Sequence, residues 1–158
     1  MKRRMFVASL ALAVVAVVGL ARPVAAGDQL PFQGSLEGER VALIPGVYAQ
    51  INATGYATQL GKYELILKAN FGQQPFGTFE FVAANGDTVT GEFSARRIPT
   101  EIPGVDEFVE TATILGGTGR FAGATGGFQI DRIAWLSDTG VLLTVGDFDG
   151  AISLPGNP

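Results

Sequence analysis

The sequence has no histidine and no cysteine, and the two absences exclude several kinds of site. Without histidine, the chain lacks the commonest side-chain base at neutral pH, the commonest ligand for transition metals, and every catalytic triad that uses an imidazole. Without cysteine, no disulfide cross-links the fold, so its stability has to come from the hydrophobic core. No other catalytic constellation stands out, and we expect neither a metal centre nor a cofactor.

The one long apolar run of the chain lies at its N-terminus. A basic start, residues 2–4, precedes the run from Met5 to Leu20, and Val24-Ala25-Ala26 supplies the small residues of a cleavage site. The run is short for a membrane span. We therefore predict a signal peptide over residues 1–26 and export to the periplasm or the extracellular space, by the Sec route or, given Arg3-Arg4, the twin-arginine route. An uncleaved N-terminal anchor is the alternative.

Positive charge is scarce in the part of the chain that remains after this cleavage. Four of the 11 basic residues leave with the signal peptide and all 15 acidic residues stay, which takes the formal net charge from −4 to −8. Such a charge argues against nucleic acid and anionic membrane surfaces as partners. The remaining 132 of the 158 residues are enough for one domain with one core.

Long helical patterns are missing from this domain, which instead alternates apolar and polar residues over short runs. The predicted strands are Gln33 to Val41, Val47 to Ala57, Lys62 to Asn70, Gly77 to Ala83, Thr88 to Arg97, Phe108 to Leu115, Phe128 to Leu136 and Val141 to Leu154. Residues 28–32 are expected to be irregular. Short connections, such as the Asn85-Gly86 turn, favour antiparallel neighbours. Because closure removes both edges, we predict an all-β fold, a small closed eight-stranded antiparallel barrel over residues 27–158, with a β-sandwich as the alternative. Charged residues interrupt any lipid-facing band, so we expect no membrane insertion of the mature chain.

Glycine makes up six of the twelve residues from Gly116 to Gly127. So many glycines in one segment indicate sharp bends or close backbone packing. We predict a tight turn with one helical turn at residues 120–124, which caps the barrel with Phe121. The segment is no phosphate-binding loop, because its glycine spacing is wrong and no amphipathic helix follows it.

This segment, GGTGRFAGATGG, resembles the glycine-rich segment of the allene oxide cyclase and dirigent proteins. GYATQLGKY at residues 55–63 and Ala84-Asn85-Gly86-Asp87 resemble exported bacterial proteins that have the same late motif and no assigned activity. The resemblance implies an eight-stranded antiparallel barrel whose cavity binds a small apolar molecule. Allene oxide cyclases isomerise a fatty-acid epoxide, and dirigent proteins steer the coupling of phenolic radicals. No pocket residue of either group maps onto this sequence.

Charged side chains that point into a barrel need a partner or a function. If the apolar face of each strand is the inner one, Glu110 and Arg132 both lie inside and can pair, whereas a one-residue slip would leave Glu110 in solvent. The candidate cavity residues are this pair together with Tyr63 for its hydroxyl, Phe121 as a plug and Trp135 as an aromatic wall. For each of them, ordinary packing within the barrel is the alternative.

Three functions stay open at this point. The first is non-catalytic binding of a small apolar ligand in the barrel, which requires a cavity of about 300 Å³ or more. The second is a structural or interaction module, which can form a homo-oligomer; it requires a filled interior and an exposed apolar patch. The third is an isomerase or a dirigent-like protein, which requires ionisable groups that converge on a cavity.

Overall fold

A computed structural model of the chain describes residues 28–44, 48–70 and 74–156. The predicted signal peptide, residues 1–26, and Val47, the predicted start of the second strand, lie outside these residues. The described chain forms strands at Gln29–Pro31 (β1), Gly34–Ile44 (β2), Tyr48–Ala57 (β3), Gly61–Ala69 (β4), Phe76–Ala83 (β5), Thr88–Pro99 (β6), Val105–Gly117 (β7), Thr125–Leu136 (β8) and Leu142–Ser153 (β9). No helix in this part of the chain is both long enough and apolar enough to cross a membrane.

The strands β2 to β9 form a closed antiparallel barrel. Each strand pairs with the next one along the chain, and β9 pairs both with β8 and with β2. The predicted eight-stranded barrel is therefore confirmed, with one extra strand, and the β-sandwich is excluded. This is the architecture that the resemblance to allene oxide cyclases and dirigent proteins implies. Closure gives every barrel strand a neighbour on both sides over at least part of its length, which protects the sheet from pairing with other chains.

The N-terminal segment differs from the prediction. Residues 29–31, expected to be irregular, form the short strand β1, which pairs with residues 151–153 of β9. The reason is that β2 pairs only with residues 143–148 of β9. Residues 151–153 of β9 therefore have no partner in β2, and β1 pairs with them instead. Two other predicted strands are longer than expected, since β6 continues to Pro99 and β7 begins at Val105.

Aromatic rings fill a large part of the barrel interior. The cluster consists of Phe32, Tyr63, Phe79, Phe81, Phe128 and Phe148, and these side chains are nearly or completely buried. The ring centroids of Phe32 and Phe128 lie 5.2 Å apart, and those of Tyr63 and Phe81 lie 5.0 Å apart, both in edge-to-face geometry. Edge-to-face pairs are favourable because the positive rim of one ring meets the negative face of the other.

Glycines inside the strands make room for these rings. Gly91 lies at a bulge in β6, where a Cβ atom would be 2.6 Å from the ring of Phe79 and 2.0 Å from the carbonyl oxygen of Thr113. On β3, a Cβ atom at Gly55 would be 2.7 Å from the hydroxyl oxygen of Tyr63. A close approach of this kind explains glycine in a strand interior, where it otherwise weakens the sheet.

Candidate functional site

The glycine-rich segment between β7 and β8 closes one end of the barrel. Gly119–Phe121 form a short 3-10 helix, and Phe121 is completely buried. The guanidinium of Arg120 lies 4.7 Å from the centre of the Phe121 ring and donates a hydrogen bond to the carbonyl oxygen of Gln59. The backbone N–H of Arg120 also donates to Asp87, at 3.3 Å. The segment therefore forms the predicted tight turn, although its helical turn covers residues 119–121 and not 120–124, and Phe121 packs in the core cluster.

Glu110 of β7 and Arg132 of β8 form a buried ion pair inside the barrel. The Nε and Nη2 atoms of Arg132 donate to Oε1 of Glu110 at 2.9 and 2.7 Å. The side chain of Glu110 is completely buried and that of Arg132 is 6% exposed. Arg132 Nη1 also donates to the Thr144 hydroxyl at 3.3 Å, and the guanidinium lies 4.4 Å from the centre of the Phe108 ring. The structure decides the register that the sequence left open. Ala112 and Ile114 on β7 and Ile130 on β8, which share a face with Glu110 and Arg132, are buried, so the one-residue slip does not occur.

One oxygen of this ion pair has no partner. Glu110 Oε1 accepts both hydrogen bonds from Arg132, whereas Oε2 is the only buried side-chain polar atom in the described part of the chain without a hydrogen bond. A buried oxygen of this kind costs about 1–3 kcal/mol when nothing donates to it.

Tyr63 belongs to the aromatic cluster and not to the ion pair. Its ring lies against Phe81 and Phe148, and its hydroxyl donates to the carbonyl oxygen of Ser35 at 2.5 Å. Burial, helped by the negative charge of Asp147, raises the pKa of the Tyr63 hydroxyl well above its usual value. The phenol is therefore a neutral donor at physiological pH.

Trp135 lies on the outer wall of the barrel, although it was a candidate for the wall of an internal cavity. Side chains alternate along a strand, and Trp135 is one residue out of phase with Ala134, which is buried inside. The structure therefore brings Glu110 and Arg132 together and places Phe121 and Tyr63 in the packed core, while Trp135 belongs to a different surface.

That surface is an apolar block on the outside of β8 and β9. Ile133 pairs across the strands with Val145, and Trp135 pairs with Leu143. Ile133 is 42% exposed and Val145 is 37% exposed, whereas Trp135 and Leu143 are half-buried. The outward face of an exposed strand is ordinarily polar. The sequence contained a sign of this block, since Ile133 and Trp135 give β8 apolar residues on both faces.

Acidic side chains lie directly beside the apolar block. On β2, which follows β9 around the barrel, Glu37 pairs with Val145 and Glu39 pairs with Leu143. Together they border a concavity of about 720 Å³, which we call the outer groove. Its lining residues are Glu37, Gly38, Glu39, Val41, Asn52, Ala53, Thr54, Glu64, Leu65, Ile66, Trp135, Leu143, Thr144 and Val145. The groove thus has apolar side chains on β8 and β9 and three carboxylates on β2 and β4, where Val41 and Ile66 add further apolar surface.

Two other concavities, of about 310 and 560 Å³, also lie on the outer wall, over β4 to β7. None of the three contains Glu110, Arg132, Tyr63 or Phe121. Within the described ranges, the acidic residues form no group of three or more that has the geometry to hold a metal ion. Of these three concavities, the outer groove has the largest volume, and its lining combines apolar and charged side chains.

Comparisons with known proteins returned one distant structural likeness. No protein-family model and no curated protein matches the chain. Among solved structures, the chain is similar to the pterocarpan synthase dirigent protein GePTS1, with 17% sequence identity and a TM-score of 0.47, over 84% of this chain and 89% of that one. The matched protein is a dirigent protein, one of the two groups that the glycine-rich segment resembles. At this identity and TM-score, the likeness carries no conclusion about activity.

Proposed function

We propose that the protein is an exported, non-catalytic binding module that holds its partner in the outer groove. The observation that supports this proposal most directly is the apolar block of Ile133, Trp135, Leu143 and Val145, which faces solvent beside a concavity of about 720 Å³. Exposed apolar surface next to a concavity is typical of a binding site, because covering it releases water. The volume lies within the range of about 300–1,000 Å³ found for ligand sites.

The packing of the interior favours the outer wall over the barrel cavity. The aromatic cluster occupies the barrel, and Phe121 and Phe32 are completely buried. An apolar ligand of ordinary size would have to displace several of these rings. The isomerase or dirigent-like activity implied by the resemblance would need ionisable groups on a shared cavity, and Glu110 and Arg132 line none of the three concavities. We do not propose an enzymatic role.

The test uses a neutral apolar dye, Nile red, and the mature chain. We expect fluorescence enhancement with the wild type and a loss of dye affinity of about tenfold or more in the double variant Val41→Gln and Val145→Gln, since both side chains are exposed in the outer groove. The matched control is Ile102→Gln, which removes an apolar side chain that is 64% exposed elsewhere. An equal loss of affinity in the control, or no binding by the wild type, contradicts the proposal.

Sedimentation of the same variants shows whether the partner is a second copy of the chain. If the groove is covered in a homo-oligomer, the wild type sediments as an oligomer, and the double variant at Val41 and Val145 sediments as a monomer. If the wild type is monomeric at the concentration of the dye experiment, the partner is another molecule.

One observation favours a second candidate function, the binding of a small molecule inside the barrel. Glu110 Oε2 is buried without a hydrogen bond, so a ligand hydroxyl or amine that reaches it would gain a strong interaction with a carboxylate. Native mass spectrometry of the protein from its own exported fraction tests this. An interior ligand appears as an excess mass that Glu110→Gln loses and that the outer-groove variant keeps, and a bare mass in the wild type contradicts it.

A further inference from the structure

We propose that the outer groove selects an organic cation with an apolar body, an inference that rests on the proposed function. The ligand class is an alkyl or aryl ammonium compound. Its charged group would lie over the carboxylates of the groove on β2 and β4, and its apolar body would lie along β9 and β8.

The charge of the outer groove favours a cation. Glu37, Glu39 and Glu64 line the outer groove, and no lysine or arginine is among its lining residues. The two salt bridges in the described part of the chain are Arg97–Asp106 and Arg132–Glu110, so none of the three groove carboxylates takes part in one. Three carboxylates around one concavity attract a cation and repel an anion.

An apolar side chain lies beside each of the two carboxylates of β2. Val145 is the cross-strand partner of Glu37, and Leu143 is the cross-strand partner of Glu39. Directly opposite residues in an antiparallel pair have neighbouring side chains on the same face. A small inorganic cation would use only the carboxylates. An organic cation would use the carboxylates and also cover the apolar side chains, with Trp135 as an aromatic face for its apolar body.

The order of side chains around the barrel also bears on the shape of the ligand. Along one row of the outer wall, cross-strand partners run from Ile133 on β8 through Val145 and Glu37 to Thr54 and then Glu64 on β4. The next row runs from Trp135 through Leu143, Glu39 and Asn52 to Ile66 on β4. In both rows a carboxylate of β2 lies directly beside an apolar side chain of β9, which matches a molecule whose charged group adjoins its apolar body.

The test compares two ligands with the same phenylbutyl group and opposite charge, phenylbutyl-trimethylammonium and 5-phenylpentanoate. Binding is followed by calorimetry and by the fluorescence of Trp135, the single tryptophan of the chain. We expect the cation to bind the wild type, with an affinity that falls as salt rises, and the anion to bind much more weakly. In the double variant Glu37→Gln and Glu39→Gln, the affinity for the cation should fall about tenfold.

The matched control is the double variant Glu101→Gln and Asp138→Asn. It changes the net charge by the same amount at two exposed positions outside the groove. Equal binding of the cation and the anion, or an equal loss of affinity in this control, overturns the inference. If Nile red binds in a manner that depends on Val41 and Val145 but the cation does not bind, the inference is wrong while the proposed function stands. If neither ligand binds, the proposed function is wrong as well.

Discussion

The buried ion pair between Glu110 and Arg132 gives the sharpest prediction about stability. Replacing Arg132 with methionine keeps a long, unbranched side chain at this position but removes the charge and all three hydrogen bonds that the guanidinium donates. Glu110 then remains completely buried with neither carboxylate oxygen paired, because Oε2 has no partner in the wild type. The substitution therefore tests whether the charge inside the barrel depends on its single counter-ion.

The expected magnitude follows from this burial. Removing one partner of a buried ion pair costs about 3–5 kcal/mol, because the other charge stays in a poorly solvated position. Replacing both partners with apolar residues is often neutral or stabilising. We therefore expect Arg132→Met to lower the free energy of unfolding by about 3–5 kcal/mol, and we expect the double variant with Glu110→Met to recover at least about 2 kcal/mol of that loss.

The assay is urea unfolding followed by the fluorescence of Trp135, which lies on the same strand as Arg132. The free energy of unfolding is taken by linear extrapolation, and an unchanged slope shows that the native state is still compact. The control is Arg97→Met. It removes the Arg97–Asp106 ion pair, in which the arginine side chain is 51% exposed, and should cost no more than about 1 kcal/mol.

Two results would refute this reasoning. If Arg132→Met costs no more than the control at Arg97, the guanidinium does not compensate a buried charge. If the double variant with Glu110→Met is destabilised by the sum of the two single substitutions, the side chains are not energetically coupled. Either result would mean that water or another group reaches Glu110 inside the barrel.

Three further predictions concern the core. Because burial raises the pKa of Tyr63, its neutral form is favoured by folding, so the free energy of unfolding should fall by up to about 1.4 kcal/mol per pH unit as the pH rises above about 10. Tyr63→Phe should remove this loss while costing about 1 kcal/mol at pH 7 for the hydrogen bond; Tyr56→Phe, at a tyrosine that is 67% exposed, should leave the pH profile unchanged. Gly91→Ala should lower the melting temperature because its Cβ atom would overlap a phenylalanine ring of β5, whereas Gly156→Ala, with no atom near the added Cβ, should not. Phe121→Ala should cost about 3–5 kcal/mol in urea unfolding if the cap is part of the core, and a cost below about 1 kcal/mol would show that the cap is dispensable.

Much of the barrel was predictable from local pattern alone. The alternation of residues in β7 and β8 favoured the face that carries Glu110 and Arg132 as the buried one, but a one-residue slip would have reversed it. The structure decided between the two registers. The sequence also identified Phe121, the one large apolar side chain in a glycine-rich segment, as the cap. The strands and this turn depend on residues that are close in sequence, so local pattern was enough to predict them.

The outer groove was decided by the tertiary structure. Its carboxylates come from β2 and β4 and the apolar block beside them comes from β8 and β9, and these segments are separated by most of the chain. Closure of the barrel between β2 and β9 brings Glu37 to Val145 and Glu39 to Leu143. Alternation shows that a side chain faces outward, but it does not show which strand lies next to it. Only the pairing register around the closed barrel sets which outward side chains become neighbours. The alternation that places Ala134 inside already places Trp135 outside, so its assignment to an internal wall was wrong, whereas its position beside Leu143 in the outer groove follows only from the pairing of β8 with β9.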